Sequence, residues 1–141
     1  MKKVLTKSEA ETLHWSTKLA GSLKGGQVIS LEGDLGAGKT VVVKGIAKGL
    51  GLQEIVNSPT FVLMKVYKLP GSKIKQLVHV DAYRLNGAHE LLEIGLADYL
   101  GHRDSLVLIE WGDKVKEILP KKYTTIAIKQ LSENSRGLTI L

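Results

Sequence analysis

The stretch LEGDLGAGKT, residues 31–40, decides how the rest of the chain is read. Within it, residues 33–40 (GDLGAGKT) fit the pattern G-x-x-x-x-G-K-S/T of a phosphate-binding P-loop. Glycines let the backbone curl until successive N–H groups point inward at phosphate oxygens. A following helix aims the positive end of its dipole at the same anion. Lys39 then reaches the β- and γ-phosphates, and the Thr40 hydroxyl takes a place on Mg²⁺. The flanks suit the motif. VISL, residues 28–31, reads as a short buried strand, while Val42, Val43, Ile46, Ala47 and Leu50 recur at helical spacing. Strand, loop and helix together predict a nucleotide-phosphate site.

The totals are those of one globular domain over residues 1–141, with 43% hydrophobic and 24% charged residues. The chain has no cysteine, which excludes disulfides, thiolate metal sites and cysteine catalysis and fits a cytoplasmic protein. No apolar run approaches the ~20 residues needed to span a bilayer, and the basic start MKKVL lacks a signal-peptide apolar segment. The net charge of +6 and pI of about 9.5 favour anionic partners: nucleotide, RNA or an acidic protein surface. The lysines are scattered along the chain and not interleaved with aromatics. Contact with tRNA is therefore expected to be indirect or weak.

Residues 6–23 are expected to form the first helix, opened by a capping box at Ser8 and Glu11 and stopped by Gly25 and Gly26. Its stripe of Ala10, Leu13, Thr17 and Ala20 is expected to pack on the sheet, with its first turn near the nucleotide base. Ser58-Pro59 pins an extended turn that delivers the Thr60 hydroxyl. Residues 61–69 and 76–81 read as strands. Their link, residues 70–73, is too short for a parallel crossover, so they should pair antiparallel and make the sheet mixed. Residues 88–100 read as helix broken at Gly95. SLVLIE, residues 105–110, is a near-continuous apolar run, as a central strand covered on both faces should be. Residues 115–119 can form a short helix stopped by Pro120, and residues 124–130 and 137–141 a closing hairpin.

Two acids stand at strand ends, Asp81 after LVHV and Glu110 after LVLI. In open α/β sheets ligands gather outside the carboxyl ends of strands, so both acids can face the crevice of Lys39 and Thr40. A divalent cation would offset the cost of burying them there. Thr60 reads as a switch-type hydroxyl or a turn hydroxyl, and Trp111 as a core aromatic or a lid. For Arg84 the choice is between an acid and a phosphate; for Arg136 it is between phosphate and base. The four histidines show no ligand spacing. Neither the Asn-Lys-x-Asp nor the Asp-x-x-Gly of GTPases is present. With three arginines in the chain, no arginine-rich kinase lid is present either.

GDLGAGKT, SPTF (58–61), HVDAYRL (79–85), GLADYL (95–100) and IEWGDK (109–114), in this order, resemble the bacterial tRNA threonylcarbamoyladenosine biosynthesis family TsaE. The resemblance covers about four-fifths of the chain and implies a P-loop ATPase with a mixed sheet between helices. Such a protein works with TsaB and TsaD, which transfer a threonylcarbamoyl group to the adenosine beside the tRNA anticodon. By the same resemblance Gly36, Ala37, Gly38, Lys39, Thr40 and Val41 form the phosphate cradle. Thr40 and Glu110 become the Mg²⁺ ligands. Lys39, Asp81 and Glu110 carry catalysis, Thr60 lies in a switch-like loop and Trp111 beside the metal acid. Glu9, Asp113 and Arg136 fall near positions lining the nucleotide. Val41 departs from the pattern, standing where relatives often carry Thr or Ser, and this implies lower affinity. No arginine finger is evident in cis, which predicts slow turnover alone and stimulation by partners. Two other readings share these residues: a small-molecule or nucleotide kinase, and a nucleotide-dependent assembly switch.

Overall fold

The structure is a computed structural model that describes residues 2–71 and 73–141. Met1 and Ser72, the latter within the 70–73 connection, lie outside the described residues. Seven strands form one sheet: β1 (Lys2–Thr6), β2 (Val28–Glu32), β3 (Met64–Lys68), β4 (Gln76–Asp81), β5 (Ser105–Glu110), β6 (Thr124–Gln130) and β7 (Arg136–Ile140). Their order across the sheet is β1-β7-β6-β2-β5-β4-β3. The inner four, β6, β2, β5 and β4, are parallel, and β1–β7, β6–β7 and β3–β4 are antiparallel. The mixed sheet expected from the short 70–73 link is thus present, and β2, which leads into the P-loop, lies near its middle.

Alternation along the parallel strands sorts the core into two layers. Ile29, Leu31, Leu77, Leu106 and Leu108 face one side, where Val42, Val43 and Ile46 of α2 (Lys39–Gly49) cover them. Val28, Val78, Val80, Val107 and Ile109 face the other, against Leu91 of α3 (His89–Glu93), Leu96 and Val115. Every residue of β5 is buried, because it has a strand on either side and a helical layer on both faces. The α/β three-layer architecture follows. Gly95, at φ 93, breaks the third helix where expected. The segment before Pro120 starts earlier than the sequence suggested, as a kinked 3-10 run at Gly112–Ile118.

The N-terminal segment departs from expectation. Residues 6–23 are not one helix: β1 ends at Thr6, and α1 (Glu9–Leu19) follows the Ser8 cap, continuing as a 3-10 turn at Ala20–Ser22. Ser8 Oγ accepts from Glu11 N at 3.1 Å, while the Glu11 carboxylate reaches back to Lys7 N at 3.1 Å. Thr12 and Ser16 of α1 and Ala20 of the turn after it are buried, with Ala10 exposed. This face packs mainly on α2, while Trp15 and Leu19 pack against the core cluster that includes the sheet. Small residues cause the packing on α2. A Cβ on Gly45 would overlap Ser16 Cβ, and one on Gly49 would overlap the Thr17 carbonyl and Ala20 Cβ. The two helices touch along a seam of backbone. The edge strands also explain part of the basic charge: Lys2 and Lys3 on β1, and Lys65 and Lys68 on β3, are exposed, and charged edges discourage pairing with other chains.

Ala at an open helical position is about 1 kcal/mol better than Gly. Gly45→Ala should nevertheless destabilise by about 1–3 kcal/mol, since the added carbon overpacks the seam. A lower denaturant midpoint is the expected result; an unchanged or higher one would show that the helices part freely.

Candidate functional site

The P-loop leaves β2 and enters α2 through Gly38, whose φ of 110 is left-handed backbone that favours glycine. No side chain caps the first turn of α2. Its orphan N–H groups therefore face the loop's concavity, where an anion can satisfy them. Lys39 is buried and donates to the carbonyls of Gly33 at 2.7 Å and Asp34 at 2.8 Å. Its Nζ also lies 4.1 Å from the centroid of the Trp111 ring.

Register brings the acids to the same place. β4 and β5 pair Asp81 with Glu110, and β2 and β5 pair Leu31 with Glu110. Both carboxylates thus emerge beside the start of the P-loop. Thr40 Oγ1 donates to Glu110 at 2.9 Å (Oε1) and 3.1 Å (Oε2). Asp81 Oδ2 accepts from Ser58 at 2.7 Å and Thr60 at 3.0 Å, and Oδ1 accepts from Tyr83 N at 2.9 Å. Among the described residues, no Lys or Arg forms a salt bridge with either acid. A cavity of ≈280 Å³ collects this set, lined by Gly36, Gly38, Lys39, Thr40, Val41, Ser58, Thr60, Asp81, Tyr83, Glu110 and Trp111.

Across the P-loop lies a second cavity of ≈150 Å³, lined by Glu9, Thr12, Gly36, Gly38, Val41, Glu133, Asn134 and Arg136. Gly36, Gly38 and Val41 border both, so one extended ligand could lie over the loop with an end in each. Ala37 is buried beneath, and its carbonyl accepts from Arg136 Nε at 2.8 Å. The remaining bonds of Arg136 go to the carbonyls of Ser132, Glu133 and Ser135. Arg136 ties the β6–β7 hairpin loop to the P-loop, a role its position alone did not suggest. Asp113 is exposed and lines neither cavity.

Trp111 is half-buried, lining the crevice while packing against the second core layer. Its φ of 63 is unusual for a side-chain-bearing residue and turns the chain sharply after β5. Tyr83 packs against it with centroids 5.1 Å apart, and Lys114 lies 5.0 Å from the Tyr83 ring. Arg84 meets neither an acid nor the cavity; it covers the Phe61 ring at 4.7 Å. Cations and aromatics separate in the sequence are therefore interleaved in space along the crevice mouth. Residues 61–63 are not strand: Phe61 is 84% and Val62 65% exposed on a loop beyond the start of β3. Sequence reading passed over Ser58 as a site residue, although the SPTF segment pointed at its neighbour. It also passed over His79, whose Nε2 lies 2.6 Å from Glu110 Oε2.

The donor set suits Mg²⁺. One hydroxyl and one carboxylate converge beside an uncapped helix N-terminus, and Mg²⁺ is commonly held by one or two carboxylates together with substrate phosphates and water. No group of three or more His, Cys, Asp or Glu side chains is arranged for a metal among the described residues.

The family model for threonylcarbamoyl adenosine biosynthesis protein TsaE matches residues 6–138. The chain belongs to the TsaE family. It is 37% identical over 136 residues to the tRNA threonylcarbamoyladenosine biosynthesis protein TsaE of Treponema pallidum, covering 96% of this chain and 97% of that protein. Identity to the TsaE of Bacillus subtilis is 40% over 134 residues, covering 95% and 81%. The crystal structure of Bacillus subtilis YdiB superposes with a TM-score of 0.81 at 34% identity, covering 99% of this chain and 83% of that one. The TsaE resemblance of the five motifs and the mixed α/β fold are both borne out. No helix among the described residues is long and apolar enough to cross a membrane.

Burial pushes the Lys39 ammonium below its ordinary value near 10.5, and the charges of Glu110, Asp81, Asp34 and Asp113 offset part of that shift. With the folded value the lower one, the unfolded chain keeps this proton to higher pH. The group's contribution to stability then rises with pH in the alkaline interval below 10.5. Denaturation of wild type and Lys39→Met across that interval should show wild type gaining on the variant as pH climbs. A gap that closes the other way would mean that the carboxylates outweigh burial.

Proposed function

We propose that this TsaE-family protein is the ATP-binding and ATP-hydrolysing subunit that serves tRNA threonylcarbamoylation together with TsaB and TsaD in the cytoplasm. The observation that carries this reading is the convergence of Lys39, Thr40, Asp81 and Glu110 on one crevice at the carboxyl ends of parallel strands. The triphosphate lies over the P-loop, its reacting end toward Asp81 and Glu110 and its adenosine toward Glu9 and Arg136. Thr40 and Glu110 would hold Mg²⁺, which would neutralise phosphate charge there.

In hydrolysis a water oxygen attacks the γ-phosphorus, the bond to the β–γ bridging oxygen breaks, and ADP and phosphate leave. Lys39 and the N–H groups of the loop stabilise the charge that develops on the phosphate oxygens. Asp81 presents Ser58 and Thr60 toward the same crevice, and either this acid or Glu110 orients the water. Lys39→Ala should lower ATP turnover by about 100-fold or more, measured as phosphate release. Turnover within a few-fold of wild type would place the chemistry elsewhere. Transfer of phosphate to an acceptor, instead of its release, would favour a kinase.

Stimulation by a partner is supported by two features of the site. Among the described residues no arginine lines the phosphate-side crevice, so charge stabilisation from outside has room to act. The 57–63 loop is polar inward, through Ser58 and Thr60 on Asp81, and apolar outward, through Phe61 and Val62. That arrangement couples the nucleotide site to a docking surface and keeps the assembly-switch reading alongside the catalytic one. Adding TsaB and TsaD should raise ATP turnover by about tenfold or more, and Phe61→Asp should abolish the stimulation while leaving the basal rate unchanged. Equal rates with and without the pair would sink partner activation.

A further inference from the structure

We propose that His79 is a positioning residue that fixes the Glu110 carboxylate, together with Thr40, in the orientation that receives Mg²⁺. The inference rests on the reading of Thr40 and Glu110 as the Mg²⁺ ligands. In the β4–β5 register His79 stands opposite Leu108 and Asp81 opposite Glu110. The His79 ring therefore reaches diagonally along the sheet to the next inward-facing residue of β5. Nε2 lies 2.6 Å from Oε2, with the histidine side chain fully buried and that of Glu110 4% exposed.

Nδ1 is buried without a hydrogen-bond partner among the described residues. A proton on Nδ1 would have no acceptor, whereas a proton on Nε2 points at the carboxylate. His79 accordingly donates through Nε2 to Oε2. Thr40, from a different element, donates to the same carboxylate. The nearby cation, Lys39, gives its hydrogen bonds to the Gly33 and Asp34 carbonyls instead. Glu110 is thus oriented by two donors from different elements, and no Lys or Arg among the described residues forms a salt bridge with it. A carboxylate that merely filled the core would not be left in that condition; one awaiting a divalent cation would.

Three variants separate positioning from packing. His79→Gln places an amide nitrogen near the site of Nε2, His79→Asn places one near Nδ1, and His79→Leu fills the space with no donor. The readout is the affinity for a fluorescent ADP analogue in excess MgCl₂ and in EDTA, with thermal unfolding measured in parallel. In wild type, MgCl₂ should tighten binding. His79→Asn and His79→Leu should lose about tenfold of that enhancement while their EDTA affinities stay within about twofold of wild type, and His79→Gln should retain most of it. Variants that unfold at lower temperature but keep the full enhancement would make His79 a core residue only. Loss in Gln with retention in Asn would refute the Nε2 contact. Should His79→Leu fail to fold, the Gln and Asn pair decides by the same criterion. A wild type that binds the nucleotide without any MgCl₂ enhancement would overturn the Mg²⁺ reading, and the positioning role with it. A wild type that does not bind the analogue at all would remove the nucleotide reading as well.

Discussion

Lys39, Asp81 and Glu110 share one crevice because β2, β5 and β4 run parallel and in step, so that the last residues of β4 and β5 come level with the mouth of the P-loop. Parallel strands demand crossovers, and the crossovers supply the helices that bury both faces of β5. The same arrangement forces charged groups into a nearly dry place. Each is kept tolerable by hydrogen bonds: carbonyls on Lys39, hydroxyls and an N–H on Asp81, Thr40 and His79 on Glu110. Removing one partner there leaves another group unsatisfied, which costs more than the bond itself contributed.

The antiparallel hairpins on the two sides do different work. β3–β4 carries Asp81 and, through the preceding loop, sets Phe61 and Val62 outside the crevice. β6–β7 sends Arg136 to the back of the P-loop, holding the Ala37 carbonyl and making one wall of the smaller cavity. The P-loop is therefore braced from behind by a strand that begins nearly a hundred residues later in the chain. TsaE membership places this architecture in tRNA threonylcarbamoyladenosine biosynthesis.

Much of the fold was legible because its signals are local. The P-loop, the buried run of β5, the short 70–73 link and Gly95 each carry their meaning within a few residues. What was misread depends on partners distant in sequence. KKVLT has too few residues to announce a strand, and becomes one only by pairing with β7. The run FVLMKVYKL looks continuous, yet its first three residues lie on the loop that delivers Ser58 and Thr60. Leu63 there takes a φ of 67, which a propensity for strand does not foresee. His79 showed no ligand spacing because its partner is 31 residues away on another strand. The alternation HVD did place His79 and Asp81 on one face, and that was the available signal. Sequence leaves Trp111 between core aromatic and lid; its backbone conformation, at φ 63, is what turns it toward Lys39.

The contact between α1 and α2, in which glycines let one helix rest on the backbone of the other, sets which side of the crevice is the stiffer. Glu9 and Thr12 of α1 wall the smaller cavity, and Lys39 and Thr40 begin α2. A pair of rods fused along their length acts as a single stiff jaw, and Arg136 bolts the P-loop to the hairpin beside it. The other jaw is the 57–63 loop with Tyr83 and Trp111, secured by hydroxyls, ring stacking and a few backbone bonds. On the proposed function, nucleotide entry and release would register as displacement of that softer jaw, and a partner gripping it from outside would feel the state of the phosphates.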